Sequence, residues 1–190
     1  MAGHEPLFSS SLISHEVVAS LPTGFTIRPL HRQDFKKGYL DCLRVLTWVG
    51  DLGEEEWNSR FDEMARATGT YYLLALEHKD RIVGTGSLVV ERKLTVTRAR
   101  KTHENLSSIH NRGLVGHVEE IAISKELQGK GLGLKMIQAL DSVGKNVGCY
   151  KNILNCGPQN EPFYVKCGYH NSGTEMSHYF EESKDNYHRG

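Results

Sequence analysis

The spacing of apolar and polar residues predicts alternating strands and helices that begin near residue 24. Two segments rich in aromatic and aliphatic residues, 71–77 and 82–91, flank a short polar turn and indicate a β-hairpin. The largely apolar stretch at residues 115–123 is typical of a central strand. Shorter strands, which bring the total to six, are predicted at residues 25–30, 149–154 and 174–180.

Helical periodicity is clearest over residues 132–146, where one apolar face is formed by Leu132, Met136, Leu140 and Val143. Further helices, bounded by capping residues and glycines, are predicted at residues 34–48, 54–67 and 160–166. Helices on both faces of a central mixed sheet of six strands predict an α/β fold. We expect a single domain over residues 24–190, preceded by an extended or poorly ordered arm, residues 1–23, that can pack on the body.

Charge and hydropathy narrow the classes of protein to which the chain can belong. Its 190 residues include 23 lysines and arginines and 23 aspartates and glutamates, so no net field attracts nucleic acid or an anionic membrane. The chain shows neither an apolar run of about 18 residues nor a secretory signal pattern at its start. We therefore expect no nucleic-acid partner, no membrane span, and a cytoplasmic or other intracellular location.

The four cysteines form no C-x-x-C pair and no zinc-finger spacing with a histidine: Cys42, Cys149, Cys156 and Cys167. Free thiols in a reducing compartment are the simplest interpretation, and a reactive or disulfide-bonded role stays open. The ten histidines show no metal-binding spacing either. The sequence therefore predicts no metal site.

Three glycines alternate at the start of the predicted helix over residues 132–146, in the segment Gln128-Gly129-Lys130-Gly131-Leu132-Gly133. Glycine allows positive φ and close approach of a ligand, and free N–H groups at a helix N-terminus suit a pyrophosphate. The spacing G-x-G-x-G fits neither the dinucleotide fingerprint G-x-G-x-x-G nor a Walker loop, which ends in G-K-S/T. A glycine-rich turn without a ligand is the alternative.

This segment matches the signature Q/R-x-x-G-x-G/A of the GNAT superfamily, which the chain resembles. Further blocks at residues 116–123, 148–151 and 158–169 are similar to the glucosamine-6-phosphate N-acetyltransferases of that superfamily, and the similarity covers about residues 25–180. The resemblance implies the GNAT acyl-CoA N-acyltransferase fold and acetyl-CoA as cosubstrate. It also implies direct acetyl transfer to the amine of D-glucosamine 6-phosphate, for UDP-N-acetylglucosamine biosynthesis, by a homodimer that needs no metal.

The resemblance also implies which residues contact the donor. The pyrophosphate would lie on the glycine segment and the pantetheine arm beside the preceding strand. The implied acetyl-CoA contacts are Ile121, Ala122, Ile123, Gln128, Gly129, Lys130, Gly131, Leu132, Gly133, Asn155, Asn160 and Tyr164. Among these, Tyr164 is implied to protonate the departing thiolate, although an aromatic side chain packed under a helix is the alternative.

The acceptor site and the remaining catalytic roles follow from the same resemblance. Glu120 and Asn155 are implied to act beside Tyr164, and Asn155 stands where relatives carry an acidic residue, so it can orient a group but cannot accept a proton. The implied substrate contacts are Thr47, His110, Glu119, Glu120, Tyr150 and Lys151, the last two reaching the neighbouring subunit. Strand alternation could instead leave one of the two glutamates in solvent, and Lys151 could be an ordinary solvated lysine.

Two other functions stay open on sequence alone. The fold could serve a different acceptor, either another small amine or a protein amine, or the chain could be a CoA-binding regulatory module without turnover. The basic segment over residues 92–112 is predicted to be a long surface loop, which is a solvated face unless the substrate is anionic. Local basic residues favour a phosphorylated acceptor over a basic peptide.

Overall fold

A mixed sheet of five strands forms the centre of the protein. The structure is a computed structural model that describes residues 5–94, 113–176 and 178. The strands lie side by side in chain order: β1 (Phe25–Pro29), β2 (Tyr71–His78), β3 (Arg81–Arg92), β4 (Leu114–Ile123) and β5 (Lys151–Ile153). The first four pair antiparallel, as hairpin and meander connections allow, and β5 runs parallel to β4 after a helical crossover.

Helices cover both faces of this sheet, as predicted. The α-helices of the described residues are α1 (His15–Ala19), α2 (Tyr39–Leu43), α3 (Glu54–Arg66), α4 (Leu132–Val147) and α5 (Glu161–Lys166). On one face, α2 and α3 share a buried apolar cluster with Leu73, Ala75 and Ala122 of the sheet. On the other face, Met136 of α4 lies against Gly86 of β3. None of these helices has the length and apolar character needed to cross a membrane.

The predicted helix over residues 34–48 is wrong in its extent. Gly38 has a φ of +83° and separates a 3-10 turn, Arg32–Phe35, from α2. Glycine adopts this left-handed conformation without steric cost, whereas a continuous helix needs right-handed backbone at every position. The other three helices agree with their predicted ranges to within one residue at either end.

The prediction of six strands is also wrong, since the described residues form five. The first five predicted strands are found, but residues 174–176 and 178 of the predicted sixth lie outside any strand. Residues 174–176 are exposed. A short alternating segment can form a strand only where a neighbouring strand accepts its backbone hydrogen bonds, and the pattern itself does not supply that neighbour.

The chain divides into two compact units, Met1–Ile153 and Leu154–Gly190. The first holds the whole sheet and α1 to α4, and the second holds α5. In the first unit the residues before β1 pack on α4: the Ser14 N–H donates to Ser142 Oγ at 3.0 Å, and Asn146 Nδ2 donates to the Leu12 carbonyl at 2.9 Å. A single domain over residues 24–190 stays a prediction.

A buried ion-pair network joins β1, the first 3-10 turn after it, and β2. The carboxylate of Asp34 is fully buried and accepts two hydrogen bonds of 2.8 Å from Arg28 and one of 2.8 Å from the His31 N–H. Arg28 also donates to Glu77 at 2.6 Å, and Lys37 donates to Glu77 at 2.7 Å. Burial opposes ionisation of Glu77, but these two cations outweigh it and lower its pKa.

Replacing Asp34 by alanine should lower the free energy of unfolding by about 3–5 kcal/mol, because it leaves the partly buried Arg28 guanidinium without its main partner. Urea unfolding followed by circular dichroism measures the change. Asp80→Ala is the matched control, since it removes an exposed carboxylate that pairs with Lys37, and its unfolding midpoint should barely move. Equal losses in the two variants would contradict a structural role for the buried network.

Candidate active site

The turn between β4 and α4 carries the glycines singled out in the sequence. After Ile123 the chain makes a 3-10 turn, Lys125–Leu127, and reaches Gln128. Gln128 Nε2 donates back to the Ile123 carbonyl at 3.0 Å, and the Ser124 N–H donates to the Val83 carbonyl of β3 at 2.9 Å. These two bonds hold the start of the turn against the sheet, so the glycines that follow have a fixed position.

The backbone of this turn presents a row of hydrogen-bond donors. Gly129 and Gly131 have φ values of +76° and +78°, with open space where a Cβ would stand. Within the described part of the chain, no group accepts a hydrogen bond from the N–H groups of residues 129–134. The dipole of the 16-residue α4 adds positive potential there, as does the exposed Lys130. The turn therefore suits a pyrophosphate.

β4 contains a bulge shortly before the turn. Thr85 of β3 pairs with Ala122 and Ser87 pairs with Glu119, so two residues of β4 lie opposite one residue of β3. One of the two is Glu120, whose φ of +57° is a left-handed conformation that costs a residue other than glycine about 1–3 kcal/mol. The bulge breaks the strand alternation, and both Glu119 and Glu120 are exposed. It therefore explains a carboxylate pair in an apolar strand.

Two buried hydroxyl groups of β3 support the bulge. Thr85 Oγ1 donates to the Glu120 carbonyl at 2.9 Å, and Ser87 Oγ lies 3.2 Å from both the Glu119 carbonyl and Glu120 Oε2. They supply hydrogen-bond donors to two carbonyls at the bulge. Sequence reasoning does not single out either residue. The signal was the run Gly-Thr-Gly-Ser at residues 84–87, because hydroxyls inside an apolar strand require partners.

Tyr39 of α2 lies in the core cluster with Ala122 of β4. Burial raises the pKa of Tyr39 well above its ordinary value, and the negative charge of Glu120 adds to the effect. Its hydroxyl is buried, and no described group forms a hydrogen bond with it. Tyr39 is therefore a neutral phenol at physiological pH, held under the strand that carries Glu120.

β5 is short, and among the described residues it pairs with only part of β4. The two strands pair at three positions: Val115 with Lys151, Gly116 with Asn152, and His117 with Ile153. Beyond these pairs, the only described strand beside β4 is β3. Residues 121–123, predicted to bond the pantetheine arm, lie in this part of β4. An open strand edge offers N–H and carbonyl groups to an extended ligand.

The structure brings together the two residues predicted to bind the sugar phosphate. The Tyr150 N–H donates to the Leu114 carbonyl at 3.0 Å, which fixes the chain at the start of β5. Lys151 Nζ lies 5.7 Å from the centre of the Tyr150 ring, within the range of a cation–π contact. Lys151 is exposed. Its charge is therefore available to an anion from solvent.

The side chain of Asn152 locks β5 onto α4. Its Nδ2 donates to Asp141 Oδ1 of α4 at 2.8 Å. Its carboxamide occupies the space left by the absent side chains of Gly116 in β4 and Gly144 in α4. A Cβ at Gly144 would lie 2.5 Å from Asn152 Oδ1, and a Cβ at Gly116 would lie closer still. The amide and the two glycines therefore form one packing unit.

Two predicted acceptor contacts are less closely tied to this site. Thr47 is exposed just after α2, where its N–H donates to the Leu43 carbonyl at 3.2 Å. His110 lies outside the described residues, as does most of the basic segment, although Arg92 does end β3 as expected for its start. The role of His110 stays a prediction.

The second unit carries the remaining predicted residues. Asn155 is exposed. Asn160 directly precedes α5, and its carbonyl accepts a hydrogen bond from the Tyr164 N–H at 3.3 Å. The half-buried Tyr164 ring packs edge-on against two other rings. Its centre lies 5.0 Å from that of the Phe163 ring and 6.3 Å from that of the Tyr169 ring. These aromatic contacts fix the orientation of the Tyr164 side chain on α5.

All four cysteines are free thiols, as the sequence predicts. Burial raises the pKa of Cys42 to about 11, and its contact with Ser124 offsets this only in part. Burial also raises the pKa values of Cys149 and Cys156. Since the thiolate is the nucleophile, none of these three thiols is activated. In the described ranges, no three His, Cys, Asp or Glu side chains are arranged to hold a metal ion.

Comparisons with known proteins identify the family. The family model described as "Acetyltransferase (GNAT) family" matches residues 28–169. The glucosamine 6-phosphate N-acetyltransferase of Candida albicans is 38% identical over 157 residues, which span 82% of this chain and 96% of that protein. Glucosamine 6-phosphate N-acetyltransferase 1 of Dictyostelium discoideum is 37% identical over 158 residues, 82% of this chain and 91% of that protein.

A solved structure is similar to this chain in both fold and sequence. The crystal structure of glucosamine-6-phosphate N-acetyltransferase from Arabidopsis thaliana has a TM-score of 0.72 and 34% sequence identity, and the match covers 83% of this chain and 99% of that one. The region matched by the family model contains β4, the glycine turn and α5. The chain therefore belongs to the GNAT acetyltransferase family and, within it, to the glucosamine 6-phosphate N-acetyltransferases.

Proposed function

We propose that this chain transfers the acetyl group of acetyl-CoA to the amine of D-glucosamine 6-phosphate, giving N-acetylglucosamine 6-phosphate for UDP-N-acetylglucosamine biosynthesis. The observation that carries the proposal is the row of N–H donors at residues 129–134, at the head of α4 and next to a strand with two exposed carboxylates. The names of the relatives supply the identity of the acceptor.

The donor would bind through backbone groups more than through side chains. The N–H groups of the turn would hold the pyrophosphate of acetyl-CoA, and Lys130 would add a charge without forming a specific bond. The open edge of β4 at residues 121–123 would pair with the amides of the pantetheine arm. Asn155 and Asn160 are proposed as further contacts to the donor.

The chemistry needs a free amine, and a proton for the departing thiolate. The amine lone pair forms a bond to the thioester carbonyl carbon, and the carbon–sulfur bond then breaks with its electron pair on sulfur. Tyr164 is proposed to give its hydroxyl proton to that thiolate and to regain one from solvent. Glu120 is proposed to accept the proton that the amine loses, directly or through water, and Asn155 to orient a reacting group by hydrogen bonds.

The acceptor would be held by its phosphate and its hydroxyl groups. Tyr150 and Lys151 are proposed to bind the phosphate, which agrees with the exposed ammonium above the Tyr150 ring. Glu119 and Thr47 are proposed to contact the sugar, and His110 is proposed to contact its phosphate. We also propose a homodimer in which Tyr150 and Lys151 serve the neighbouring subunit's site, which an equilibrium sedimentation measurement would test.

One assay tests the activity. The purified chain is incubated with acetyl-CoA and, in separate reactions, glucosamine 6-phosphate, glucosamine and a basic peptide, while a thiol reagent follows CoA release. We expect the highest kcat/KM with glucosamine 6-phosphate. Preference for the peptide would identify a protein amine as the acceptor in place of the sugar. Binding of acetyl-CoA without turnover of any amine would identify a regulatory module instead.

Replacing Lys151 by alanine should raise the KM for glucosamine 6-phosphate about 10-fold, because a charge-assisted contact to the phosphate is lost. The KM for acetyl-CoA should not change. Glucosamine provides a control on the substrate side, since without a phosphate it should react equally with parent and variant. Lys145→Ala, an exposed lysine at the far end of α4, is the matched protein control. An equal increase in the KM values of both substrates would indicate a folding or dimer defect instead.

A further inference from the structure

Ser87 lies buried beside the bulge of β4 and contacts a side chain on which the proposed chemistry depends. Only 3% of Ser87 is exposed. Its Oγ lies 3.2 Å from Glu120 Oε2 and 3.2 Å from the Glu119 carbonyl oxygen. Since a hydroxyl has one proton and two lone pairs, these two contacts are used in different ways when Glu120 is ionised and when it is protonated.

The two protonation states of Glu120 place opposite demands on a neighbour. A carboxylate only accepts hydrogen bonds, so Ser87 donates its proton to Oε2, in a charge-assisted bond that is stronger than one to a neutral carbonyl. A carboxylic acid donates, so Ser87 can accept from Glu120 and turn its own proton to the Glu119 carbonyl. Ser87 therefore keeps a hydrogen bond to Glu120 on both sides of a proton transfer.

Burial does not fix the conformation of the Glu120 side chain. With φ at +57°, Glu120 is held in a conformation that residues other than glycine rarely adopt, and its side chain is exposed. An exposed glutamate normally samples several rotamers, and fixing one of them costs conformational entropy. A buried hydroxyl on the neighbouring strand has a fixed position, so a hydrogen bond to it favours one rotamer of Glu120.

We propose that Ser87 is a positioning residue that holds the Glu120 carboxyl group in place before and after it takes the proton of the amine. The inference rests on the proposed function, because it concerns the proton acceptor of that reaction. It assigns a purpose to Ser87 that differs from that of Thr85. Thr85 supports the same bulge but contacts only the Glu120 carbonyl.

This difference between the two hydroxyls provides the test. Ser87→Ala and Thr85→Val each remove one buried hydroxyl beneath the bulge, and Ser87→Thr keeps the hydroxyl of Ser87. The full chain and the three variants are compared for kcat, for the KM of each substrate, and for melting temperature. We expect Ser87→Ala to lower kcat about 10-fold, the loss of one hydrogen bond to a charged group, with the KM for acetyl-CoA unchanged.

Ser87→Thr should retain most of the parent kcat, and Thr85→Val should lower the melting temperature at least as much as Ser87→Ala with a smaller loss of kcat. A parent-like kcat in Ser87→Ala would overturn the inference, as would equal losses of kcat in Ser87→Ala and Thr85→Val. If Ser87→Thr does not fold, the comparison of those two variants decides alone. A parent chain that does not acetylate glucosamine 6-phosphate would overturn the proposed function and this inference together.

Discussion

Replacing Tyr164 by phenylalanine should lower kcat about 100-fold while leaving the affinity for acetyl-CoA nearly unchanged. The variant loses the hydroxyl group whose proton is proposed to reach the departing thiolate, and general acid catalysis typically contributes about 100-fold or more. The phenyl ring keeps the edge-on contacts to Phe163 and Tyr169, so α5 should retain its structure. Steady-state kinetics give kcat, and calorimetric titration with acetyl-CoA gives the affinity.

The same unit offers a matched control for this variant. Tyr169→Phe removes a hydroxyl from a neighbouring ring, whose centre lies 6.3 Å from the centre of the Tyr164 ring. The variant keeps the proposed proton donor, the Tyr164 hydroxyl. We expect it to keep kcat within about twofold of the parent, since no proton transfer is assigned to the Tyr169 hydroxyl. An unchanged kcat in Tyr164→Phe would remove the proposed acid role, and comparable losses in both variants would point to packing of the aromatic cluster.

Placing a carboxylate at Gly131 should weaken acetyl-CoA binding about 100-fold. Gly131 is the residue directly before α4, and no atom lies within 4 Å of the position that a Cβ would take, so the fold has room for a short side chain. An aspartate there puts negative charge where the proposed pyrophosphate meets the helix dipole, in a site built to attract anions. Calorimetric titration with acetyl-CoA and with CoA measures the loss.

Gly131→Asn separates charge from shape. Asparagine has the same size as aspartate, and both tolerate a positive φ better than most residues other than glycine, so backbone strain is nearly the same in the two variants. The asparagine variant should bind acetyl-CoA much more tightly than the aspartate variant, and high salt should reduce the difference between them. Equal affinities in the two variants would show that the turn does not bind a charged group.

The parts of the fold that follow from local pattern are the parts that the sequence predicts well. The apolar face of α4, the hairpin of β2 and β3, and the glycine turn all lie within short windows, and each is confirmed. Two other predictions depended on the surroundings. Gly38 takes a left-handed conformation that ends one helical segment before α2 begins, and residues 174–176 are exposed and lie outside any strand. Periodicity carries no information on either.

The site shows the same division between local and distant causes. The resemblance indicates Glu119 and Glu120 as site residues. The bulge that exposes both, however, depends on the register between β4 and β3. Thr85 and Ser87, which hold that bulge, stand more than 30 positions earlier in the chain. A polar residue in an apolar strand signals that it needs a partner. The sequence does not identify that partner, because the partner depends on which strands pair and in which register.

The packing of Asn152 against Gly116 and Gly144 links three positions that lie on β5, β4 and α4. A mutational scan that changes one position at a time would score all three as intolerant, although the nearest atoms to a Cβ at Gly144 all belong to Asn152, whereas a Cβ at Gly116 would also meet Leu88. A methyl group at position 144 becomes acceptable once the amide at 152 has been exchanged for a smaller side chain, so paired replacements would succeed where single ones fail. The residues at 144 and 152 are therefore expected to change together when this enzyme is diversified or redesigned.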